Sequence, residues 1–195
     1  MNVPNKLTLS RFVLTGAFLA VIFTGAPHCE PISLLLFSAA SLTDYFDGKI
    51  ARRDHLITNF GILMDPLADK ILVCSAFIAF VGQGWMPAWM VVVVVARELA
   101  ITGLRLLAAS KNSVLAAERF GKHKTISQIV AIISVLVLHS YEQVGVVGRL
   151  FALPVFGQPW VNWFTTLSLG VAVVLTFTSG GIYLWRNRRL YMMDM

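Results

Sequence analysis

Apolar residues run along this chain in six stretches separated by polar or charged connections, at about 7–24, 31–46, 66–81, 85–107, 125–141 and 160–185. Several approach the ~20 residues that a helix needs to cross ~30 Å of hydrocarbon. In lipid the backbone must pair within its own segment, so runs this apolar predict helices. The second and third runs are shortened where polar residues intrude, at the ends that face each other along the chain.

Composition strengthens that picture. Of 195 residues, 57% are hydrophobic and only 13% charged, where a soluble domain carries about a quarter charged. The mean hydropathy is +0.74, and one small soluble core could not bury so much apolar surface. No linker, low-complexity segment or internal repeat divides residues 1–195, which read as a single membrane domain of the all-α class, a six-helix bundle. Cys29 and Cys74 lie in different runs without metal-ligand spacing, which argues against a disulfide or a zinc site. With only Lys6 and Arg11 near its first apolar run and no clear small-residue cleavage site, the N-terminus reads as a retained helix.

The net charge of +6 could suggest nucleic acid, but its distribution favours topology and anionic headgroups instead. Lys6 and Arg11 open the first run. Lys49, Arg52, Arg53 and Lys70 flank the second connection, Arg105, Lys111, Arg119, Lys122 and Lys124 surround the fourth, and Arg186, Arg188 and Arg189 follow the sixth run. The opposite connections hold Arg149, with His28, Glu30 and Glu142 nearby. Six spans with this bias place both termini in the cytosol. Trp85, Trp89, Trp160 and Trp163 fit interfacial anchors on the other side.

The stretch 44–69 carries the candidate chemistry. Asp44 and Asp47 are three apart, and Asp65 and Asp69 are four apart. On helices each spacing stacks two carboxylates on one face. Four uncompensated carboxylates at a membrane would repel one another and lose hydration, unless divalent cations neutralise them. An all-carboxylate set favours a hard ion, Mg²⁺ or Mn²⁺, over zinc. Simple helix capping explains less: Asp65 before Pro66 fits an N-cap with proline at the first helical position, which leaves three aspartates unaccounted for. Asp54, behind two arginines, reads as a solvated partner.

The stretch also matches D-x2-D-G-x2-A-R-x8-G-x3-D-x3-D at all eight fixed positions: Asp44, Asp47, Gly48, Ala51, Arg52, Gly61, Asp65 and Asp69. In this it resembles the CDP-alcohol phosphatidyltransferase family, whose six-helix membrane fold agrees with the hydropathy of the whole chain. The opening Pro4-Asn5-Lys6-Leu7-Thr8-Leu9-Ser10-Arg11 resembles the family's usual start. The resemblance implies that an acceptor hydroxyl attacks the β-phosphorus of a CDP-alcohol and CMP leaves. It implies two metal ions shared by the four aspartates, with Asp69 as general base. Gly48 and Ala51 would leave room for the cytidine, and Arg52 would contact phosphate or nucleotide. Gly61, Asn5, Thr8 and Arg11 join the donor-binding candidates; loop, helix-start or headgroup roles compete for each. The family also implies a homodimer.

A second polar group bears on the acceptor. Arg97-Glu98 interrupts the apolar fourth run, Arg105 follows eight residues on, and Gly121-Lys122-His123-Lys124-Thr125-x2-Gln128 opens the fifth. An arginine inside an apolar helix demands a partner, and Glu98 or an active-site carboxylate could serve. Convergent Arg97, Arg105, Lys122 and Lys124 would suit an acceptor bearing a phosphate; topology alone competes for the lysines, and His123 reads as a spacer. The arrangement is similar to the family's bacterial phosphatidylglycerophosphate synthase branch. That implies CDP-diacylglycerol as donor and sn-glycerol 3-phosphate as acceptor at a bacterial inner membrane. Rival readings are a relative using inositol phosphate, serine or phosphatidylglycerol, a small ion or proton transporter, or a non-catalytic scaffold.

Overall fold

The computed structural model describes residues 3–53, 59–111 and 120–192, with side chains described for 5–43, 64–111, 123–188 and 190–192. Six long helices coincide with the six apolar runs: α1 (Val3–Phe23), α2 (Cys29–Arg53), α3 (Asn59–Gly82), α4 (Ala88–Ser110), α5 (Phe120–Ser140) and, after a short α6 (Val146–Phe151), α7 (Trp160–Arg186). A 3₁₀ turn at Tyr141–Gln143 precedes α6. Strands β1 (Pro154–Val155) and β2 (Gln158–Pro159) pair antiparallel in register Val155↔Gln158, and α8 (Arg188–Met192) ends the described chain.

Local chemistry sets the boundaries. Gly84 takes φ +73° in the turn after α3, a conformation that a Cβ disfavours, and Pro87 then caps α4 from extended geometry. Pro159 does the same for α7. One boundary differs from the sequence reading. Helix α3 begins at Asn59 and carries Pro66 in its interior, so Asp65 is not an N-cap and Gly61 is not a loop glycine. Proline forfeits one backbone hydrogen bond there. The packing of Ala68, Leu72, Val73 and Ala76, all buried on this helix, outweighs that local preference.

By length and apolar composition three described helices can cross a membrane: Asn5–Phe23, His123–Gln143 and Trp160–Arg186, with Cys29–Thr43 a shorter apolar helix. Charges intrude into the others, Asp65, Asp69 and Lys70 in α3 and Arg97, Glu98 and Arg105 in α4. A shared apolar core joins all six long helices through residues such as Phe18, Phe37, Phe77, Val94, Ile132 and Leu169. Phe18 of α1 meets Phe37 of α2 with ring centroids 5.9 Å apart. Helices α5 and α7 add polar links: Gln128 Nε2 donates to Thr176 Oγ1 at 3.0 Å, and the Ser134 and Ser168 hydroxyls lie 2.7 Å apart. Small and hydroxylated residues let helices approach closely where burial in water cannot drive them together.

The distribution of polarity is inverted relative to a protein in water. Leu99, Leu106 and Phe177 are 68%, 67% and 69% exposed, whereas Arg11, Glu98, Lys124 and Gln128 are buried. Trp89 and Trp163 are exposed, as anchors would be. Trp85 instead stacks on His139 of α5 at a centroid distance of 3.9 Å.

Candidate active site

The site is assembled where α1, α3, α4 and α5 bring polar side chains inward. On α1, Thr8 and Arg11 are fully buried and Asn5 is half-buried. The Thr8 hydroxyl donates to Asp65 Oδ1 at 2.5 Å, which fixes one oxygen of that carboxylate against α1. Asp65 and Asp69 sit one turn apart on α3, both half-buried. The backbone of α2 runs helically through Asp44, Asp47, Gly48, Ala51 and Arg52, Gly61 lies in the first turn of α3, and Lys122 in the first turn of α5. The side chains of these positions lie outside the described residues.

The donor set suits a hard divalent cation. Asp65 and Asp69 offer oxygen only, in a half-buried place where two neighbouring carboxylates need a counter-charge. Among the described residues no group of three or more His, Cys, Asp and Glu could hold a metal. Asp44 and Asp47 lie on the same unbroken helix α2, with side chains outside the described residues.

Next to this pair stands a buried ionic cluster. Glu98 Oε1 accepts from Arg97 Nη1 at 3.2 Å and from Lys124 Nζ. Lys70, the residue after Asp69, donates through Nζ to Thr102 Oγ1, and that hydroxyl in turn donates to the Glu98 carbonyl at 2.7 Å. The charges of Glu98, Arg97 and Asp69 all reach Lys124. Residues from three helices thus share one electrostatic environment with Asp69.

Of the four cations singled out by sequence, the structure brings Arg97 and Lys124 together at Glu98. Arg105 stands apart from that pair, against Tyr183. Eight residues along a helix is about 12 Å, and there its Nε lies 3.5 Å from the Tyr183 hydroxyl while its guanidinium sits 5.9 Å from that ring's centroid. Sequence reading counted Lys70 only as a topological charge and passed over Thr102, Tyr183 and Gly180. The i, i+4 spacing from Glu98 was a weak signal for Thr102. Gly180 carried none: a Cβ there would come within 2.7 Å of Arg97 Cγ, so α7 needs glycine where the arginine stem passes. Beside Arg97, a groove of about 350 Å³ between α4 and α7 is lined by apolar residues including Val92, Ala96, Ile101 and Phe177. Charged cluster and apolar groove meet at that one arginine.

Chemically, the arrangement can do three things. Aspartates can hold a hard cation, Asp69 can accept a proton beside it, and paired cations can bind a phosphate. Similarity to known proteins points the same way. Residues 1–178 match the family model described as CDP-alcohol phosphatidyltransferase. A Bacillus subtilis protein named CDP-diacylglycerol–glycerol-3-phosphate 3-phosphatidyltransferase is 40% identical over 198 residues, covering 95% of each chain. A Rickettsia bellii protein of the same name is 35% identical over 171 residues, covering 87% of this chain and 91% of its own. With its fixed carboxylates on adjoining helices and near full-length similarity to such relatives, the chain belongs to the CDP-alcohol phosphatidyltransferase family.

Proposed function

We propose that this protein transfers the phosphatidyl group of CDP-diacylglycerol to sn-glycerol 3-phosphate, yielding phosphatidylglycerophosphate and CMP. The observation that carries this reading is the link from Asp69, through its neighbour Lys70 and Thr102, to the Arg97–Glu98–Lys124 cluster. A proton acceptor and a phosphate-binding pair within electrostatic reach of each other suit an acceptor that has both a hydroxyl and a phosphate. The names of the Bacillus and Rickettsia relatives support the same donor and acceptor.

In this mechanism Arg97 and Lys124 hold the acceptor phosphate, with Lys122 and Arg105 at its margins. Asn5, Thr8, Arg11, Gly48, Ala51, Arg52 and Gly61 form the donor side. Asp69 takes the proton as the acceptor hydroxyl attacks the β-phosphorus, and the bond from that phosphorus to CMP breaks. Asp44, Asp47, Asp65 and Asp69 would hold two Mg²⁺ or Mn²⁺ ions. Bound there, such ions supply charge neutralisation for the diphosphate and its leaving oxygen. Thr8 keeps Asp65 oriented throughout.

The inverted polarity supports a bilayer setting, with six spans, both termini cytosolic and the aspartates at the cytosolic side of a bacterial inner membrane. Residues 1–195 act as one domain, and the protein works as a homodimer.

The test is direct. Purified protein in detergent is given CDP-diacylglycerol, Mg²⁺ and one acceptor at a time. CMP release and a phosphatidylglycerophosphate product with glycerol 3-phosphate are expected, without any ion gradient. Turnover with serine or inositol phosphate but none with glycerol 3-phosphate would overturn the acceptor. No CMP release with any acceptor would favour a transporter or a scaffold.

A further inference from the structure

We infer that Glu98 is a positioning residue, an internal counter-carboxylate that gathers Arg97 and Lys124 into one phosphate-binding pair. The inference rests on the acceptor reading above and assigns a role to a carboxylate that a phosphate would not itself choose as a partner. Glu98 is 7% exposed and Lys124 5%, so each charge is largely shielded from water and needs its partner. A single oxygen, Oε1, accepts from both cations. Two cations brought this close would repel without the carboxylate between them.

The architecture explains why the carboxylate is needed here. Among the described residues, helix α4 packs mainly on α3 and α7. The Glu98–Lys124 pair therefore draws the start of α5 toward α4. The same turn of α4 is held from α3, because Lys70 bonds Thr102 and Thr102 bonds the Glu98 carbonyl. Lys70 directly follows Asp69, so the register between proton acceptor and cation pair is set through one turn of α4. From α7, Gly180 leaves space for the Arg97 stem.

A carboxylate repels the phosphate that its neighbours attract, so Glu98 acts through Arg97 and Lys124. Its contribution is preorganisation: the cations are already gathered when the phosphate arrives, and less ordering remains to oppose binding. Removing its charge should weaken acceptor binding and leave the donor side alone.

The test compares the parent protein with Glu98→Gln, Glu98→Asp, Lys124→Gln and the Glu98→Gln/Lys124→Gln double variant. Equilibrium dialysis measures radiolabelled glycerol 3-phosphate binding, and CMP release gives KM and kcat for each substrate. Glu98→Gln is expected to weaken binding and raise the glycerol 3-phosphate KM by about tenfold, equivalent to about 1.4 kcal/mol. The KM for CDP-diacylglycerol should stay unchanged, and Glu98→Asp should recover part of the loss. The double variant should bind scarcely worse than Lys124→Gln alone, because the carboxylate then has little left to gather. Unchanged or tighter acceptor binding in Glu98→Gln, or an equal loss for both substrates, overturns the inference. If Glu98→Gln does not accumulate folded, the double variant decides: a large further loss relative to Lys124→Gln counts against it. A parent protein that ignores glycerol 3-phosphate but turns over another acceptor sinks the acceptor reading instead. Dialysis with inorganic phosphate then tests Glu98 separately, with the same weakening expected in Glu98→Gln and unchanged binding overturning its role.

Discussion

The Thr8 hydroxyl on α1 donates to the Asp65 carboxylate on α3 at 2.5 Å, across 57 positions of sequence. The bond joins the N-terminal helix to the carboxylate set, so an early helical turn holds a metal-site candidate in place. Hydrogen bonds to charged groups contribute about 1.5–3 kcal/mol. Thr8→Val, which keeps shape and removes the donor, should lower kcat/KM by about tenfold and raise the Mg²⁺ concentration for half-maximal activity. Thr8→Ser should retain most activity. A Mg²⁺ titration of Thr8→Val that overlays the parent's would remove Thr8 from the site.

Asp69 is the proposed proton acceptor. Asp69→Asn should reduce turnover by about a hundredfold or more, the scale of general-base contributions, while CMP binding and the detergent elution profile hold near the parent's. Retention of near-normal turnover would exclude Asp69 as the base.

Oxygen-only ligands make a metal prediction. Chelation with EDTA should abolish CMP release, and Mg²⁺ or Mn²⁺ should restore it where Zn²⁺ does not. Full activity after exhaustive chelation would contradict a metal-assisted mechanism.

The structure separates two arginines that sequence placed together. Arg97 belongs to the Glu98 cluster, whereas Arg105 lies against Tyr183. Arg97→Gln should raise the glycerol 3-phosphate KM at least several-fold more than Arg105→Gln, because a desolvated charge contact outweighs an exposed one. Tyr183→Phe should resemble Arg105→Gln. Gly180→Ala, whose Cβ would press on Arg97 Cγ, should reproduce part of the Arg97→Gln effect. Equal KM changes for the two arginine variants would refute the separation.

Much was legible in the sequence because membranes and metals impose simple patterns. Six apolar runs became six long helices, since an apolar segment in lipid has few ways to satisfy its backbone. The spacing of Asp65 and Asp69 placed them one turn apart, as helical geometry requires. Capping chemistry misled at Asp65: a proline preceded by aspartate resembles a helix start, but α3 continues through Pro66. Packing over Ala68, Leu72 and Ala76 is a long-range fact that no local pattern contains.

Sequence alone therefore determined the all-α class, the carboxylate motif and the family resemblance, since each depends on local spacing or a contiguous signature. Only the tertiary structure decided which cations meet. Arg97 and Arg105 share a helix face by sequence, yet partners on other helices divide them, Lys124 through Glu98 and Tyr183 from α7. The pairing of Thr8 with Asp65, the link from Lys70 to Thr102 and the space at Gly180 were decided there too. Each depends on distances between helices, and those are set by how side chains interlock in the assembled bundle.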